Sequence, residues 1–246
     1  MLTAKDIILK PIDSKTANTL VKRLHYSGKV LNNSQFHIGV FIGGSLEGVM
    51  QFGPSLDKRK IQGLVSGTGW NEFIELNRLA FSDKLPRNSE SRAIALAMRI
   101  LKKHAPQLKW VISFADATQC GDGTIYRASG FVLTGIKKNN QIWIAPDKAG
   151  STFSRMSLTD YKSPNEKNRA RQIVSQVTGT KPKDMVNGAS SMKVYEAAGF
   201  KPLAGFQLRY IYFLDKTCEK DLTVERLPYA RIKELGASMY LGKKCL

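Results

Sequence analysis

The segment 108–115, "LKWVISFA", is the feature that most constrains the fold of this chain. It has the length of a strand and is almost entirely apolar, whereas a strand with one face in solvent alternates between apolar and polar residues. Such a run is typical of a strand buried on both faces of a sheet, and helices must then cover both faces. The sequence therefore predicts an α/β protein with this strand at the centre of its sheet.

The patterns on either side of this run alternate between helix and strand. Segment 89–105 carries an apolar stripe at helical spacing, and Gly43-Gly44 separates two strand-like runs as in a tight hairpin. This order predicts a mixed central sheet with crossover helices. Helices are predicted at 14–27, 89–105, 123–130 and 229–240, and strands at 35–44, 45–54, 73–81, 131–138, 141–146 and 207–214.

The chain is predicted to form a single domain over residues 1–246, a length that provides one sizeable core. Segment 147–187 holds eight Lys and Arg residues against four Asp and Glu, and few large apolar residues. We therefore expect it to be a basic, partly helical surface insertion. Segment 216–246 is expected to be a C-terminal tail that packs one more helix on the body.

The charge of the chain indicates a polyanionic partner. Lys and Arg number 38 against 20 Asp and Glu, which gives a formal net charge of +18. Such an excess costs self-repulsion in the compact state, and binding of nucleic acid is the usual reason to carry it. The basic side chains of the insertion are the predicted contacts to DNA phosphates: Arg155, Lys162, Lys167, Arg169, Arg171, Lys181 and Lys183.

The cysteines and the apolar runs predict a cytoplasmic protein that does not enter membranes. The three cysteines are far apart and lack any CxxC spacing, as expected for reduced thiols. There is no apolar run of the ~18 residues that a membrane helix needs, and the N-terminal residues carry too many charges for a signal peptide. The oligomeric state stays open.

Asp116 is the first candidate for chemistry. It follows the central strand at the edge where open α/β sheets place their ligands. The structural alternative is an Asx-turn or a helix cap, but Asp122 lies closer to the helix that begins near Thr124 and suits capping better. Cys120, in the same loop, has no neighbouring histidine in the sequence to support a role as nucleophile.

Histidines and polar strand residues supply further candidates. His25 and Tyr26 end the first helix, where a histidine often only complements the helix dipole. In segment 73–81, strict alternation places Glu75 and Asn77 on one face and Arg78 on the other. A buried Arg78 or Asn77 needs a partner, so one of them is expected to line a substrate cleft.

Motifs along most of the chain resemble one known family. The strand, loop and helix pattern ending in "YRASGF" resembles the core of the GNAT (Gcn5-related N-acyltransferase) fold. Within that fold the chain resembles the Mom proteins of Mu-like phages, over roughly residues 15–215. The motifs that carry the resemblance are "LHYS", "ELNRLAF", "RNSESRAIALAMRILKK", "FADATQCGDGTIYRASGF" and "GFQLRYIYFLD".

The resemblance implies a GNAT-like mixed sheet and a DNA modification enzyme. Mom proteins are expected to transfer an acetamide-type (carbamoylmethyl) group to N6 of adenine in phage DNA, in the cytoplasm of the bacterial host, and so to block restriction enzymes. Enzymes that act on a base usually take it out of the stack. We therefore expect a flipped or single-stranded adenine, with Tyr26, Trp70 or Phe114 stacking on it.

The resemblance also implies iron and an active site with Tyr and Asp residues. On that basis Asp116 is expected to be the base for the adenine amine or a ligand of Fe(II). His25 would then be a second ligand, and His37 would complete a 2-His-1-carboxylate set. Ser113 is a further catalytic candidate, although a buried hydroxyl is usually satisfied by nearby backbone.

The donor of the transferred group is left open by a departure from the GNAT pattern. The segment that corresponds to the glycine-rich acyl-CoA loop lacks glycine and reads "RNSESR". Its charges and hydroxyls are expected to bind donor phosphate at the start of the long helix, from Arg87, Ser89, Ser91 and Arg92. Both acyl-CoA and an aminoacyl-tRNA are compatible donors. Tyr126 occupies the GNAT position that protonates a leaving thiolate, or else packs its helix on the sheet.

Two alternative functions follow from the same residues. The first is an acyl-CoA-dependent N-acetyltransferase that acts on tRNA or a small amine, and the missing loop glycines count against it. The second is a non-catalytic DNA-binding protein on a GNAT scaffold, in which loss of Asp116 would change nothing.

Overall fold

The computed structural model of the chain describes residues 2–119, 121–158, 168–184, 193–240 and 243–244. Its strands are β1 (Ile8–Pro11), β2 (Phe36–Ile42), β3 (Ser45–Gly53), β4 (Phe73–Phe81), β5 (Trp110–Asp116), β6 (Val132–Lys138), β7 (Ile142–Ile144), β8 (Thr152–Ser154), β9 (Lys201–Pro202), β10 (Phe206–Phe213), β11 (Met239–Tyr240) and β12 (Lys243–Lys244). Its helices are α1 (Ser14–Leu24), α2 (Lys58–Gln62), α3 (Ser89–His104), α4 (Thr124–Ala128), α5 (Arg155–Leu158), α6 (Arg169–Thr178), α7 (Lys193–Ala197) and α8 (Ala230–Glu234).

A seven-stranded mixed sheet forms the centre, in the order β1-β2-β3-β4-β5-β10-β6. The β4–β5 pair is parallel and the other pairs are antiparallel. The apolar run predicted to be central is β5, and its residues from Trp110 to Ser113 are buried. Helix α3 buries the predicted stripe, including Ile94 and Met98, against the sheet. The predicted α/β class with a mixed central sheet and flanking helices is confirmed.

The parallel pair β4–β5 separates part-way along its length. Pairing runs from Phe73↔Trp110 to Glu75↔Ile112, although both strands continue beyond these residues. A bulge in β4 also interrupts its register with β3, where Arg78 faces Gln51 but Leu76 already faces Phe52. A gap therefore opens between β4 and β5 beyond the paired residues.

Two predicted helix ends differ in the structure. Helix α1 begins at Ser14 as predicted, after the N-cap Asp13, but it ends at Leu24 instead of residue 27, because the backbone of His25 is already extended. The helix predicted over 229–240 is much shorter, because Gly236 takes a positive φ of 62° that ends α8, and Met239–Tyr240 form β11 instead. Glycine at this position is a common helix stop.

Part of the basic insertion is buried in a second apolar cluster, which its composition did not predict. Strands β7, β8 and β9 form a three-stranded sheet. This sheet and helices α5, α6 and α7 supply a second hydrophobic cluster, separate from the main core. Its largest buried members include Trp143, Ile173, Tyr195 and Phe200. The expected insertion 147–187 is partly helical, with α5 and α6, but Leu158, Ala170, Ile173 and Val174 in it are buried in this cluster together with residues that flank the insertion, so it does not lie wholly at the surface.

The loop from β5 to α4 is held in place by glycine geometry. Gly121 and Gly123 both have positive φ angles, of 100° and 74°. A Cβ added to Gly123 would lie 2.7 Å from Cε2 of Tyr210, whereas one added to Gly121 would meet nothing within 4 Å. The side chain of Asp122 accepts hydrogen bonds from the N–H and hydroxyl of Thr124 in an Asx-turn that precedes α4, whereas the N-cap residue of α4 is Gly123.

Substituting these glycines should separate backbone strain from steric contact. Gly121→Ala should lower the free energy of unfolding by about 1 kcal/mol, because it only places a side chain in the left-handed region. Gly123→Ala should cost roughly 1–3 kcal/mol more, because it also displaces Tyr210 in the core. Denaturant titration of both variants checks this, and equal losses would contradict the packing described for Gly123.

Candidate active site

A cavity of about 920 Å³ lies in the gap between β4 and β5. Its walls come from the end of α1 and the following loop, from β4 and β5, from the start of α4, and from residues 139–154. A volume of this size is typical of sites that enclose small molecules. Four predicted site residues line it together: His25, Tyr26, Asp116 and Tyr126.

Asp116 is the last residue of β5 and lies opposite Gln207 on β10. Its Oδ1 atom accepts hydrogen bonds from the N–H of Thr118 at 3.0 Å and from Nδ2 of Asn139 at 3.3 Å. Burial raises the pKa of the Asp116 carboxyl above its ordinary value, and these hydrogen bonds oppose the increase. The Asx-turn foreseen as an alternative is present, but the carboxylate also lines the cavity and is a stronger base than an exposed aspartate.

His25 is neutral at physiological pH and its tautomer is fixed by Ser27. Nδ1 of His25 accepts a hydrogen bond from the N–H of Ser27 at 3.2 Å and lies 2.8 Å from the Ser27 hydroxyl. Burial, with a smaller contribution from Arg78, lowers the pKa of His25 from 6.5 to about 4. Because Nδ1 is the acceptor, the ring proton is assigned to Nε2. His25 therefore offers a hydrogen-bond donor rather than a second lone pair.

Tyr26 forms part of the cavity mouth. Its side chain is 51% exposed, and its ring centroid lies 4.2 Å from that of His25 with an interplanar angle of 31°. Tyr126 is buried on α4, where its ring contacts Phe131 and Tyr210. The packing role foreseen as the alternative for Tyr126 is present, and the side chain also lines the cavity.

Arg78 and Glu75, which the alternation pattern placed on opposite faces of the strand, both bring charged groups to the cavity. The bulge in β4 breaks strict alternation, so both side chains line the same cavity and the predicted opposite faces are wrong. Arg78 donates hydrogen bonds to the carbonyls of Lys29 at 2.9 Å and Asn77 at 2.7 Å. Burial raises the pKa of Glu75, and the nearby Arg78 guanidinium opposes this. Asn77 also lines the cavity, as predicted for one of this pair.

Other predicted residues lie elsewhere. Ser113 is fully buried and donates its hydroxyl to the carbonyl of Leu76 at 2.8 Å, which is the structural role foreseen as its alternative. Trp70 lies beneath Nζ of Lys58, 4.6 Å from the ring centroid, and does not line the cavity, whereas Phe114 does. Cys120 lies outside the described residues.

The residues proposed for iron do not fit a metal site. His37 is buried, with Nδ1 3.2 Å from Nε2 of Gln51, and it does not line the cavity. Nδ1 of His25 is occupied by Ser27, and its Nε2 carries the proton. Among the residues that the structure describes, no group of three or more His, Cys, Asp or Glu side chains is arranged to hold a metal ion. The set His25, His37 and Asp116 is therefore wrong as a ligand set.

The segment predicted to bind donor phosphate borders the cavity at the start of α3. Glu90, in the first helical turn, lines the cavity, and Arg87 and Arg92 are exposed beside it. Asn88 is the N-cap with a positive φ of 70° and makes no side-chain capping bond to a described residue. The hydroxyl of Ser89 is buried and has no hydrogen-bond partner among the described residues, whereas that of Ser91 donates to the carbonyl of Asn88.

The basic residues of the insertion are only partly at the surface. Arg155, Lys181 and Lys183 are exposed. Arg171 is only 1% exposed, because it lies on the buried side of α6, so its prediction as a surface contact to phosphate is wrong. Lys162, Lys167 and the side chain of Arg169 lie outside what the structure describes.

The model of the Mom protein family matches residues 6–231 of the chain. The chain belongs to the Mom protein family. It is 40% identical over 133 residues to the methylcarbamoylase mom of Escherichia phage Mu, a match that covers 54% of this chain and 55% of that protein. This family member thus aligns with about half the length of that relative. The family resemblance seen in the sequence is confirmed.

The similar solved structures are GNAT acetyltransferases. One from Elizabethkingia anophelis, with acetyl-CoA bound, is 18% identical and covers 55% of this chain and 81% of its own, with a TM-score of 0.36. An acetyltransferase from Bacillus subtilis, in complex with CoA, is 11% identical and covers 84% and 97%, with a TM-score of 0.43. In the described part of this Mom family member, no helix is both long and apolar enough to span a membrane.

Substituting His25 by Gln should make folding stability less sensitive to acid. The pKa of His25 is lowered from 6.5 to about 4 on folding, so the unfolded chain takes up a proton first as the pH falls. The wild type should therefore lose stability below pH 6.5, by roughly 1–2 kcal/mol at pH 5 from this group, and none above it. Denaturant titrations at pH 7 and pH 5 measure the difference.

The matched control is His104→Gln, at the exposed end of α3. It should retain the full wild-type loss of stability between the two pH values. If His25→Gln lost as much stability as the wild type, the neutral buried state of His25 would be incorrect.

Proposed function

We propose that this Mom family member is a transferase that adds a carbamoylmethyl group to N6 of adenine in DNA. The observation that carries the proposal is the Asp116 carboxylate, a base of raised pKa that lines one cavity with His25, Tyr26 and Arg78. The relative in phage Mu is named a methylcarbamoylase, which supports the transferred group. The net charge of +18 supports a nucleic acid as the substrate.

Asp116 provides what the amine needs. The exocyclic nitrogen of adenine is a weak nucleophile because its lone pair is delocalised into the ring. As the new N–C bond forms, the bond between the transferred carbon and the donor breaks and its electron pair leaves with the donor, while the nitrogen becomes acidic. A carboxylate within reach accepts that proton, which is general base catalysis. Burial raises the pKa of Asp116 and so increases its basicity, and Asn139 holds its orientation.

His25 and Tyr26 suit the binding of the base. The Nε2–H of His25 donates a hydrogen bond to an acceptor on the substrate, such as a ring nitrogen of adenine. The half-exposed ring of Tyr26 offers a stacking surface at the mouth of the cavity. Enzymes of this class read a flipped base by stacking and by hydrogen bonds to its edge.

The start of α3 suits the phosphate of the donor. Acyl-CoA and aminoacyl-tRNA, the two donor classes compatible with the sequence, both carry phosphate. The N–H groups of the first helical turn and the charges of Arg87 and Arg92 attract an anion. The buried hydroxyl of Ser89, which has no hydrogen-bond partner in the described part of the chain, is a donor at the same place. Glu90 lies in the same turn and opposes anion binding, so the two arginines must outweigh it.

Substituting Asp116 by Asn should abolish modification while the protein still folds and binds DNA. The amide has nearly the same shape but cannot accept the proton, and loss of a general base typically costs about 10²–10⁴-fold in rate. Mass spectrometry of nucleosides from plasmid DNA of expressing cells measures the modified deoxyadenosine. An unmodified profile with the wild-type protein would contradict the proposed function itself.

The matched control is Asp215→Asn, which removes an aspartate that caps a short helix after β10, beyond the opposite end of the β5–β10 pair. This variant should modify DNA as the wild type does. If Asp116→Asn also retained modification, Asp116 would not be the base, and the non-catalytic alternative would gain support.

A further inference from the structure

Leu56 is an exposed apolar side chain at the mouth of the cavity. It is 74% exposed, the largest value among the described large hydrophobic residues that are exposed, and it lines the same cavity as Tyr26. A single exposed leucine is common on protein surfaces. This one stands where the substrate of the proposed reaction must enter, and the function described above gives it no role.

The turn that carries Leu56 is held rigidly. Nδ2 of Asn33 donates a hydrogen bond to the carbonyl of Pro54 at 2.6 Å, and Ser55 is buried. Gly53 packs so closely that an added Cβ would lie 2.3 Å from the carbonyl oxygen of Asn33. On the other side, the carbonyl of Asp57 accepts the N–H of Ile61 and begins α2. The backbone on both sides of Leu56 is therefore anchored, and little backbone entropy is lost when its side chain contacts a partner.

Positive charge follows directly after Leu56. Residues 58–60 are Lys, Arg and Lys, with Asp57 as the neighbouring acid. Nζ of Lys58 lies over the ring of Trp70 and 3.4 Å from Oδ1 of Asn71, whereas Arg59 and Lys60 are exposed. An apolar side chain beside two outward-pointing cations complements DNA, in which stacked bases with apolar faces lie between negatively charged phosphates.

We propose that Leu56 inserts between stacked bases of duplex DNA and occupies the space left by the adenine that enters the cavity, while Arg59 and Lys60 contact the adjacent phosphates. This inference rests on the proposed function, since it takes adenine in DNA as the substrate. Extrusion of a paired base costs a few kcal/mol, and apolar side chains that wedge into a base step offset the loss of stacking. The main DNA contact then lies at the mouth of the cavity and not on the basic insertion.

Leu56→Ala should impair base extrusion without impairing DNA binding. The probe is a duplex in which several adenines are replaced by 2-aminopurine, whose fluorescence rises when it leaves the stack. The wild type should raise the fluorescence, and Leu56→Ala should raise it several-fold less at equal occupancy measured by anisotropy. When the 2-aminopurine faces abasic sites, the defect of the variant should be clearly smaller, because pairing no longer opposes extrusion and only the loss of stacking remains. Modification of plasmid DNA in cells should fall about tenfold.

Leu2→Ala is the matched control, because Leu2 is 53% exposed and does not line the cavity. It should behave as the wild type with both duplexes. Equal signals from Leu56→Ala and the wild type with the paired duplex would overturn the inference, as would an equal defect with both duplexes. If the wild type extruded the base but left no modified deoxyadenosine in cells, the proposed function would be contradicted, whereas the role of Leu56 in base extrusion would still hold.

Charge neutralisation should locate the phosphate contacts. Arg59→Gln with Lys60→Gln should reduce the slope of log K against log salt concentration by about 2, since each phosphate contact contributes about 0.9. Lys102→Gln with Lys103→Gln is the control of equal charge, at the end of α3 that lies away from the cavity, and should keep the wild-type slope. An unchanged slope in the first pair, or an equal reduction in both, would overturn the assignment.

Discussion

The separation of β4 from β5 is the constraint on which the site depends. Parallel pairing ends at Glu75↔Ile112, and the hydroxyl of Ser113 then bonds to the carbonyl of Leu76 at the base of the gap. Beyond this point the backbones of the two central strands are no longer hydrogen-bonded to each other, and residues of both strands border a shared space. Asp116 at the end of β5 and Arg78 on β4 meet a common cavity for that reason. A continuous ladder would have closed the space with backbone hydrogen bonds.

Burial of side chains in this gap explains the pKa shifts of the site. Burial is the largest cause of the pKa shift at Asp116, Glu75, Arg78 and His25, and in each group it favours the neutral form. The acids become better proton acceptors and His25 becomes a neutral donor. Arg78 offsets part of its desolvation through hydrogen bonds to two backbone carbonyls. The same burial therefore shifts the protonation equilibria of several groups in one cavity toward their neutral forms.

Sequence patterns predicted what depends on local periodicity. The run 108–115, the stripe of α3 and the position of Asp116 at the end of the central strand were all evident, because burial and strand length determine them. They did not predict that Glu75 and Arg78 share a cavity, since the bulge in β4 depends on the register with β3. They also placed Arg171 at the surface, because the charge of a residue does not reveal that its helix packs on a second apolar cluster. The prediction that His37 joins the site was wrong for a similar reason, because alternation along β2 does not show that His37 lies away from the cavity.

The second hydrophobic cluster has a consequence for how this family can diversify. The unit formed by β7–β9 and α5–α7 around this cluster, with the residue before β7, supplies Gln141, Thr152 and Phe153 to the cavity wall, and Nε2 of Gln119 donates a hydrogen bond to the hydroxyl of Thr152 at 3.0 Å. Its cohesion comes largely from its own buried residues and not from the central sheet. Mutations in this segment can therefore reshape one wall of the pocket at little cost to the stability of the scaffold. In this arrangement one wall of the pocket can vary in sequence while the residues of the central sheet stay unchanged.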